Sequence, residues 1–97
     1  MNKPTIEWSF RAKKDVEKIY FHLREKNSAA TSQKIIAEIS SAPEAIFFPE
    51  QYQYDDYIID CRRIIIRHYK KLYRVDKEII SIVSVFDSRN NPLKMSS

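Results

Sequence analysis

The chain has 97 residues, a formal net charge of +4 and a hydrophobic fraction of 43%. This length favours a single domain, residues 1–97, with one modest core. The single cysteine, Cys61, excludes an internal disulfide, and the absence of glycine excludes the Gly-rich phosphate loops of nucleotide-binding proteins. No apolar run approaches the ~20 residues of a membrane helix, and the first residues do not form a signal segment. We therefore expect a cytoplasmic protein without a membrane partner.

The first third of the chain predicts a short strand followed by a helix. Apolar and polar residues alternate in Thr5–Ser9, as they do in a strand with one buried face, and Ser9 is a residue type that caps helices. Residues 10–26 then carry apolar side chains at the i, i+3, i+4, i+7 spacing of an amphipathic helix, at Val16, Ile19, Tyr20 and Leu23.

A second helix is predicted after a short break at Asn27-Ser28. It begins near Ala29–Ser32 and carries Ile35, Ile36 and Ile39 inward, and Pro43 ends or kinks it. Two helices joined by so short a connection form an antiparallel hairpin.

The second half of the chain predicts three strands. After a polar loop, Glu50–Asp60, the period changes to two, and we predict strands over Arg62–Arg67, Tyr69–Val75 and Glu78–Phe86. The turns fall at His68 and at Asp76-Lys77, and such close spacing requires antiparallel hairpins. The last strand is apolar on both faces and should be central. The predicted fold is α+β: a small antiparallel β-sheet with an N-terminal α-helical hairpin packed on one face, in the order β-α-α-β-β-β.

The predicted strand pair carries an unusual concentration of positive charge. Six of the seventeen Lys and Arg residues lie in Arg62–Arg74, which contains no acid, while the rest of the chain carries a slight excess of acids. Strand alternation places Arg63 with Arg67 on one face, and Lys70 with Arg74 on one face. A patch on the side left bare by the helices would suit a phosphate backbone or an acidic protein. The alternative is a solvated face whose charges have no specific role.

Two further groups of side chains are candidates for chemistry. His68 lies inside the basic stretch and is the one residue type there whose ordinary pKa lies near neutral pH, so it is a candidate acid or base for RNA cleavage, although a lone His is more often a surface residue. The acids of the loop, Glu50, Asp55, Asp56 and Asp60, lack a His or Cys at a metal-ligating spacing. We expect no metal and no cofactor.

Three segments resemble the RelE/ParE superfamily of toxins from type II toxin–antitoxin modules. RAKKDVEKIYFHL is similar to the first helix of that family, CRRIIIRHYKKLYRV to its strand pair, and IISIVSVFDSRNNPLKM to its last strand and tail. The resemblance covers nearly the whole chain. It implies a toxin that arrests growth and is neutralised by a cognate antitoxin.

The resemblance also suggests which residues form a site. The arginine that the family carries in its strand pair corresponds to Lys70 in this sequence. The family's phosphate-binding arginine after the last strand corresponds to Arg89, and a basic residue of the preceding strand falls near Arg63. With His68, the predicted catalytic set is Lys70, Arg89 and His68, and the predicted phosphate-binding set is Arg63, Arg67, Lys71 and Arg74. Lysine lacks the bidentate fork of arginine, and no Tyr or His follows Arg89.

Three hypotheses follow from the resemblance. The first is a RelE-like endoribonuclease that cuts mRNA on the ribosome. The second is a ParE-like inhibitor of DNA gyrase, which needs no catalytic residues of its own. The third is a toxin-fold binding protein that has lost its toxicity. The expected partners are an antitoxin and either the ribosome with its mRNA or gyrase, and no small-molecule substrate.

Overall fold

The computed structural model describes residues 4–41 and 51–89. The elements are β1 (Thr5–Trp8), α1 (Phe10–Arg24), α2 (Ala29–Ser41), β2 (Arg62–Ile66), β3 (Tyr69–Asp76) and β4 (Ile79–Asp87). This order confirms the predicted α+β fold. The prediction about Pro43, the loop acid Glu50 and the tail beyond Arg89 lie outside the described residues. No helix in the described part of the chain is long and apolar enough to cross a membrane.

The four strands form one sheet in the order β1-β4-β3-β2. β4 is central, as its two apolar faces predicted, and the β2–β3 and β3–β4 pairs are antiparallel. β1 pairs with β4 in parallel, so the sheet is mixed and the expectation of a wholly antiparallel sheet was wrong in this respect. A parallel pair needs a long connection, and the chain between β1 and β4 supplies one. The side-chain alternation in β1 carries no information about strand direction.

Two of the tight turns place non-glycine residues in the left-handed region. Arg67 has φ 56° and Lys77 has φ 57°. β2 therefore ends at Ile66, one residue earlier than predicted, because Arg67 belongs to the turn. A side chain at positive φ costs roughly 1–2 kcal/mol in local strain, which a glycine would avoid, but the chain has none.

The main core lies between the helical hairpin and the sheet. Its buried members come from both helices and from β2, β3 and β4: Ala12, Ile35, Ile39, Ile64, Tyr69, Tyr73, Ile80, Ile82 and Val85. The stripes predicted for the two helices pack onto this core with β1, through Val16, Ile19, Leu23, Ile36, Ile6 and Trp8.

Helix α1 is fixed to an irregularity in β4. The register of β3 and β4 shifts between Leu72 and Tyr73, which leaves Val83 as an extra residue in β4. The Ser9 hydroxyl accepts from the N–H of Ala12 and so caps α1. The same hydroxyl donates to the carbonyl of the bulged residue, Val83, at 3.0 Å. The Asp15 carboxylate accepts from the Ser84 hydroxyl at 2.8 Å and from the backbone N–H of Val85 at 3.0 Å.

A loop covers part of the sheet face opposite the helices. Residues 51–61 run back along β2, where the N–H of Arg63 donates to the Gln53 carbonyl at 2.9 Å. On this side Cys61, Leu72 and Phe86 form a second buried cluster. The face that the helices leave bare is therefore partly open, and the loop lies over the cations that were expected there.

Candidate functional site: a charge-paired basic face

The two faces of the β2–β3 hairpin divide as the alternation predicted. Ile65 is the register partner of Lys70, so these side chains share the face opposite the helices with Arg63. Ile64 is the partner of Lys71, and this second lysine therefore lies on the helix side of the sheet.

Lys70, the predicted catalytic lysine, is held by the loop. Its Nζ lies 2.7 Å from Oδ1 of Asp55, and the two side chains are 12% and 0% exposed. The other Asp55 oxygen accepts the N–H groups of Tyr57 and Ile58, each at 2.9 Å. Burial raises the pKa of Asp55, but the interaction with Lys70 and these two N–H groups outweigh it, so the pKa lies below its ordinary value. The expectation that Lys70 is exposed was wrong, because alternation assigns a face without showing what covers it.

Arg63, the predicted phosphate-binding arginine of β2, is also paired. Its Nη1 lies 3.3 Å from an Asp56 carboxylate oxygen and 3.8 Å from Asp55, and it donates to the Tyr54 carbonyl at 3.2 Å. The neighbouring Arg62 lies 4.1 Å from the centre of the Tyr54 ring. The loop therefore engages one guanidinium nitrogen of Arg63 and lies against Arg62.

Lys71, a predicted phosphate ligand, lies on the helix side of the sheet, opposite to Lys70. It is fully buried, with Nζ 4.7 Å from the centre of the Trp8 ring and no hydrogen-bond partner in the described part of the chain. Burial lowers its pKa to about 7. The prediction of Lys71 as a phosphate ligand was wrong, because its strand position directs it into the core.

His68 and Arg89 meet at one end of the sheet. Arg89 donates to the Asp87 carboxylate through Nε at 3.0 Å and Nη2 at 2.6 Å, and His68 Nε2 lies 3.7 Å from the same carboxylate. The hydrogen bond from Arg89 holds the pKa of Asp87 below its ordinary value, against the opposing effect of burial. Asp87 pairs in register with Tyr69, so it lies on the other face from Lys70. Two of the three predicted catalytic residues are thus brought together, and the third is not.

The remaining predicted cations lie apart. Arg67 donates to the Glu38 carboxylate of α2, in part through Nη2 at 3.3 Å. Arg74 is exposed on β3. In the described ranges no group of three or more His, Cys, Asp and Glu side chains is placed to hold a metal ion.

Sequence reasoning missed the acids that neutralise the basic strands. Asp55 and Asp56 were considered only as metal ligands, and Glu38 and Asp87 were not considered. The available signal was the position of two adjacent acids just before a stretch of six cations, because a loop that folds back on such a hairpin brings them together.

Two helices packed on a four-stranded sheet in this order define a RelE/ParE-like toxin fold. The model of the family described as "ParE toxin of type II toxin-antitoxin system, parDE" matches residues 6–92, and the chain belongs to that family.

Solved structures share the fold. A chain of the chromosomal ParDE toxin–antitoxin system from P. aeruginosa superposes with a TM-score of 0.75 at 16% identity, covering 87% of this chain and 95% of that one. A mutant of the E. coli toxin RelE in the free state superposes with a TM-score of 0.53 at 19% identity, covering 97% of this chain and 93% of that one. No curated protein matches the chain by sequence.

Proposed function

We propose that this chain is a growth-arresting toxin that acts by binding a protein target, DNA gyrase, and does not itself cut RNA. The observation that supports this most is the pairing of the strand cations within the chain. Lys70 is bound to Asp55, and Arg63 to Asp56. The family match to ParE toxins points the same way.

A phosphate group at Lys70 would have to displace a buried carboxylate. Asp55 also accepts two backbone N–H groups, and its side chain has no exposed surface. Breaking a buried ion pair by removing one partner costs about 3–5 kcal/mol. A site that must lose this pair before it binds is poorly organised to stabilise a transition state, which favours donors already in place.

The same loop presents apolar surface that suits a protein target. Tyr57 is 64% exposed and Ile59 81% exposed, and Ile65 of the adjacent β2 is 53% exposed. Tyrosine is enriched among the residues that dominate protein interfaces. Asp55 fixes the loop through the N–H groups of residues 57 and 58, and such rigidity lowers the entropic cost of binding.

The proposed neutralising partner is a cognate antitoxin. The P. aeruginosa relative is described as part of a ParDE toxin–antitoxin system. Family membership supports the same arrangement for this chain.

A RelE-like endoribonuclease is the second candidate, and one observation favours it. His68 and Arg89 have side chains that are 40% and 70% exposed, and both lie close to the Asp87 carboxylate. In that function Arg89 would stabilise a phosphate, His68 would transfer a proton, and Asp87 would orient the imidazole.

The test is induced expression, with gyrase cleavage assays and primer extension on cellular mRNA performed side by side. We expect growth arrest with trapped gyrase–DNA complexes and no new mRNA 5′ ends. Ribosome-dependent mRNA cuts that disappear in His68→Ala or Arg89→Ala would favour the second candidate. Expression without growth arrest would favour a toxin fold that has lost its toxicity.

A further inference from the structure

The solvent-facing side of α1 carries two exposed aromatic side chains. Phe10 is 76% exposed and Phe21 is 60% exposed. They lie about three turns apart in the helix, so they project from one line along it, with about 16 Å between their positions. The residues of α1 that pack onto the main core lie on the opposite side of the helix: Ala12, Val16, Ile19 and Leu23. The two phenyl rings therefore lie outside the main core.

Cations flank these two rings on both sides. All five cations of α1 are exposed: Arg11, Lys13, Lys14, Lys18 and Arg24. At about 3.6 residues per turn, Lys14 lies close to the line of the rings, and its Nζ is 5.5 Å from the centre of the Phe10 ring. Lys13 and Arg24 lie on one side of that line, and Arg11 and Lys18 lie on the other. The outer face of α1 is thus a line of two aromatic rings with a row of cations along each side.

Few acids oppose these cations. Asp15 is 13% exposed and its carboxylate is hydrogen-bonded to β4, although the Nε of Arg11 approaches it to 4.0 Å. Glu17 is the one acid of α1 that is exposed. Its carboxylate lies 3.7 Å from the Nζ of Lys14, but both side chains are more than half exposed, and such a pair contributes little. The outer face of α1 therefore keeps a positive potential.

The shape of this face distinguishes between anionic partners. Proteins that bind single-stranded nucleic acid combine a basic groove with aromatic side chains, whereas the outer face of a helix is convex and encloses no strand. The surface of an anionic bilayer is flat and carries phosphates above apolar chains, so it can contact the rings and both rows of cations together. Long Lys and Arg side chains reach head groups while the apolar residues beside them insert more deeply.

We infer that the outer face of α1 binds an anionic membrane surface, with Phe10 and Phe21 inserted among the head groups and the flanking cations on lipid phosphates. The inference goes beyond the proposed function and does not depend on it, because it concerns a different surface from the loop over residues 51–61. The expectation of no membrane partner rested on the lack of a spanning segment, and attachment at a membrane surface needs none.

The test is sedimentation of the full-length chain with vesicles made of equal parts of phosphatidylglycerol and phosphatidylcholine. We expect half-maximal binding at roughly 0.1–1 mM lipid, close to the strength of a single acyl anchor. Vesicles of phosphatidylcholine alone should bind at least about tenfold more weakly, because each cation near an anionic surface contributes about fivefold. Binding to the anionic vesicles should weaken as salt is raised, since the attraction between exposed charges is screened.

Two double variants test the two kinds of contact separately. Lys14→Glu/Lys18→Glu should lower the affinity for anionic vesicles at least about 25-fold, which is the loss of two cations at about fivefold each. Phe10→Ser/Phe21→Ser keeps the charge and should lower the affinity at least about tenfold, because burial of half of a Phe side chain is worth about fivefold. All four side chains are exposed, so a thermal midpoint close to that of the parent should verify the fold.

Matched controls place the same changes outside α1. Arg74→Glu/Lys77→Glu makes an equal change of charge at exposed positions of the β3–β4 hairpin, and we expect affinity within about threefold of the parent. Tyr57→Ser/Ile59→Ser removes exposed apolar side chains from the loop, and this variant should bind the anionic vesicles as the parent does.

Three results would overturn the inference. One is the absence of binding to anionic vesicles at about 5 mM lipid. Another is a loss of affinity in the control variants as large as the loss in the α1 variants. The third is that a single-stranded RNA of about 20 nucleotides binds the parent and not Phe10→Ser/Phe21→Ser, while vesicles do not bind, which would make this face a nucleic-acid surface.

Discussion

At the scale of the residue, Lys71 shows how strongly position governs chemistry. Its amine is buried beside Trp8, and its pKa falls from 10.5 to about 7. Between these values the unfolded chain binds more protons than the folded one, so the free energy of unfolding rises with pH. The destabilisation is greatest below about pH 7 and disappears as the pH rises through 10.5.

Replacing Lys71 by Met should remove this dependence. We expect Lys71→Met to stabilise the fold at pH 7 by up to about 4 kcal/mol, because a buried amine is replaced by an apolar chain of similar length. The measurement is urea unfolding at several pH values from 7 to 10. Exposed Lys13→Met is the control, and a pH slope that is equally steep in Lys71→Met and in this control would contradict the assignment.

Asp55 stabilises the fold whereas Lys71 destabilises it, although for both groups the free energy of unfolding rises with pH. The pKa of Asp55 is lowered in the folded chain, so it stabilises the fold above its unfolded pKa, and the stabilisation is lost as the pH falls through the folded value. Asp55→Asn should cost about 3 kcal/mol at pH 7, because it leaves Lys70 without its partner. Denaturant unfolding at pH 7 and pH 3 measures this, with exposed Asp76→Asn as control. A loss that is as large at pH 3 as at pH 7 would argue against the ion pair.

At the scale of the element, the turn between β3 and β4 carries local strain. Lys77 has φ 57°, and its side chain is exposed. Lys77→Gly should raise the free energy of unfolding by up to about 1 kcal/mol, since relief of the strain exceeds the entropy cost of glycine. Thermal unfolding would show a higher midpoint. Glu78→Gly in the same turn, which has no positive φ to relieve, should be neutral or destabilising; a larger gain there would contradict the explanation.

The loop over residues 51–61 should matter for toxicity more than for stability. Tyr57 and Ile59 are largely exposed, so Tyr57→Ala/Ile59→Ala should change the unfolding free energy by less than about 1 kcal/mol. The same variant should relieve growth arrest if the loop contacts the protein target. Phe21→Ala, also at an exposed aromatic residue, is the control. Full arrest by the loop variant would show that this surface is not used.

The elements of the fold were predictable because each has its own period. The stripe in α1 and the two apolar faces of β4 gave the helix and the central strand directly. The parallel pairing of β1 with β4, and the position of the loop that covers Lys70, depend on contacts between residues that are not neighbours in sequence. The periodicity of a single segment carries no information about such contacts. Arg89 was proposed from the resemblance and His68 from its residue type, whereas Asp87, which contacts both, has no local signature.

At the scale of the whole molecule, the net charge of +4 is misleading about where an anion would bind. Three of the six strand cations are paired with Asp55, Asp56 or Glu38, while α1 carries a row of exposed cations at Arg11, Lys14 and Lys18. The molecule therefore has two distinct surfaces: a loop with exposed Tyr and Ile side chains, and a face of α1 with exposed cations.

The measurement that tests the central claim most directly is growth arrest by the double variant His68→Ala/Arg89→Ala, expressed at the same level as the parent. Both side chains are exposed, so the fold should persist, and a thermal midpoint within a few degrees of the parent would verify it. A toxin that acts through a protein target, without chemistry at this cluster, should arrest growth as fully as the parent. Normal growth of cells that contain the folded variant would contradict the account and assign the toxicity to His68 and Arg89.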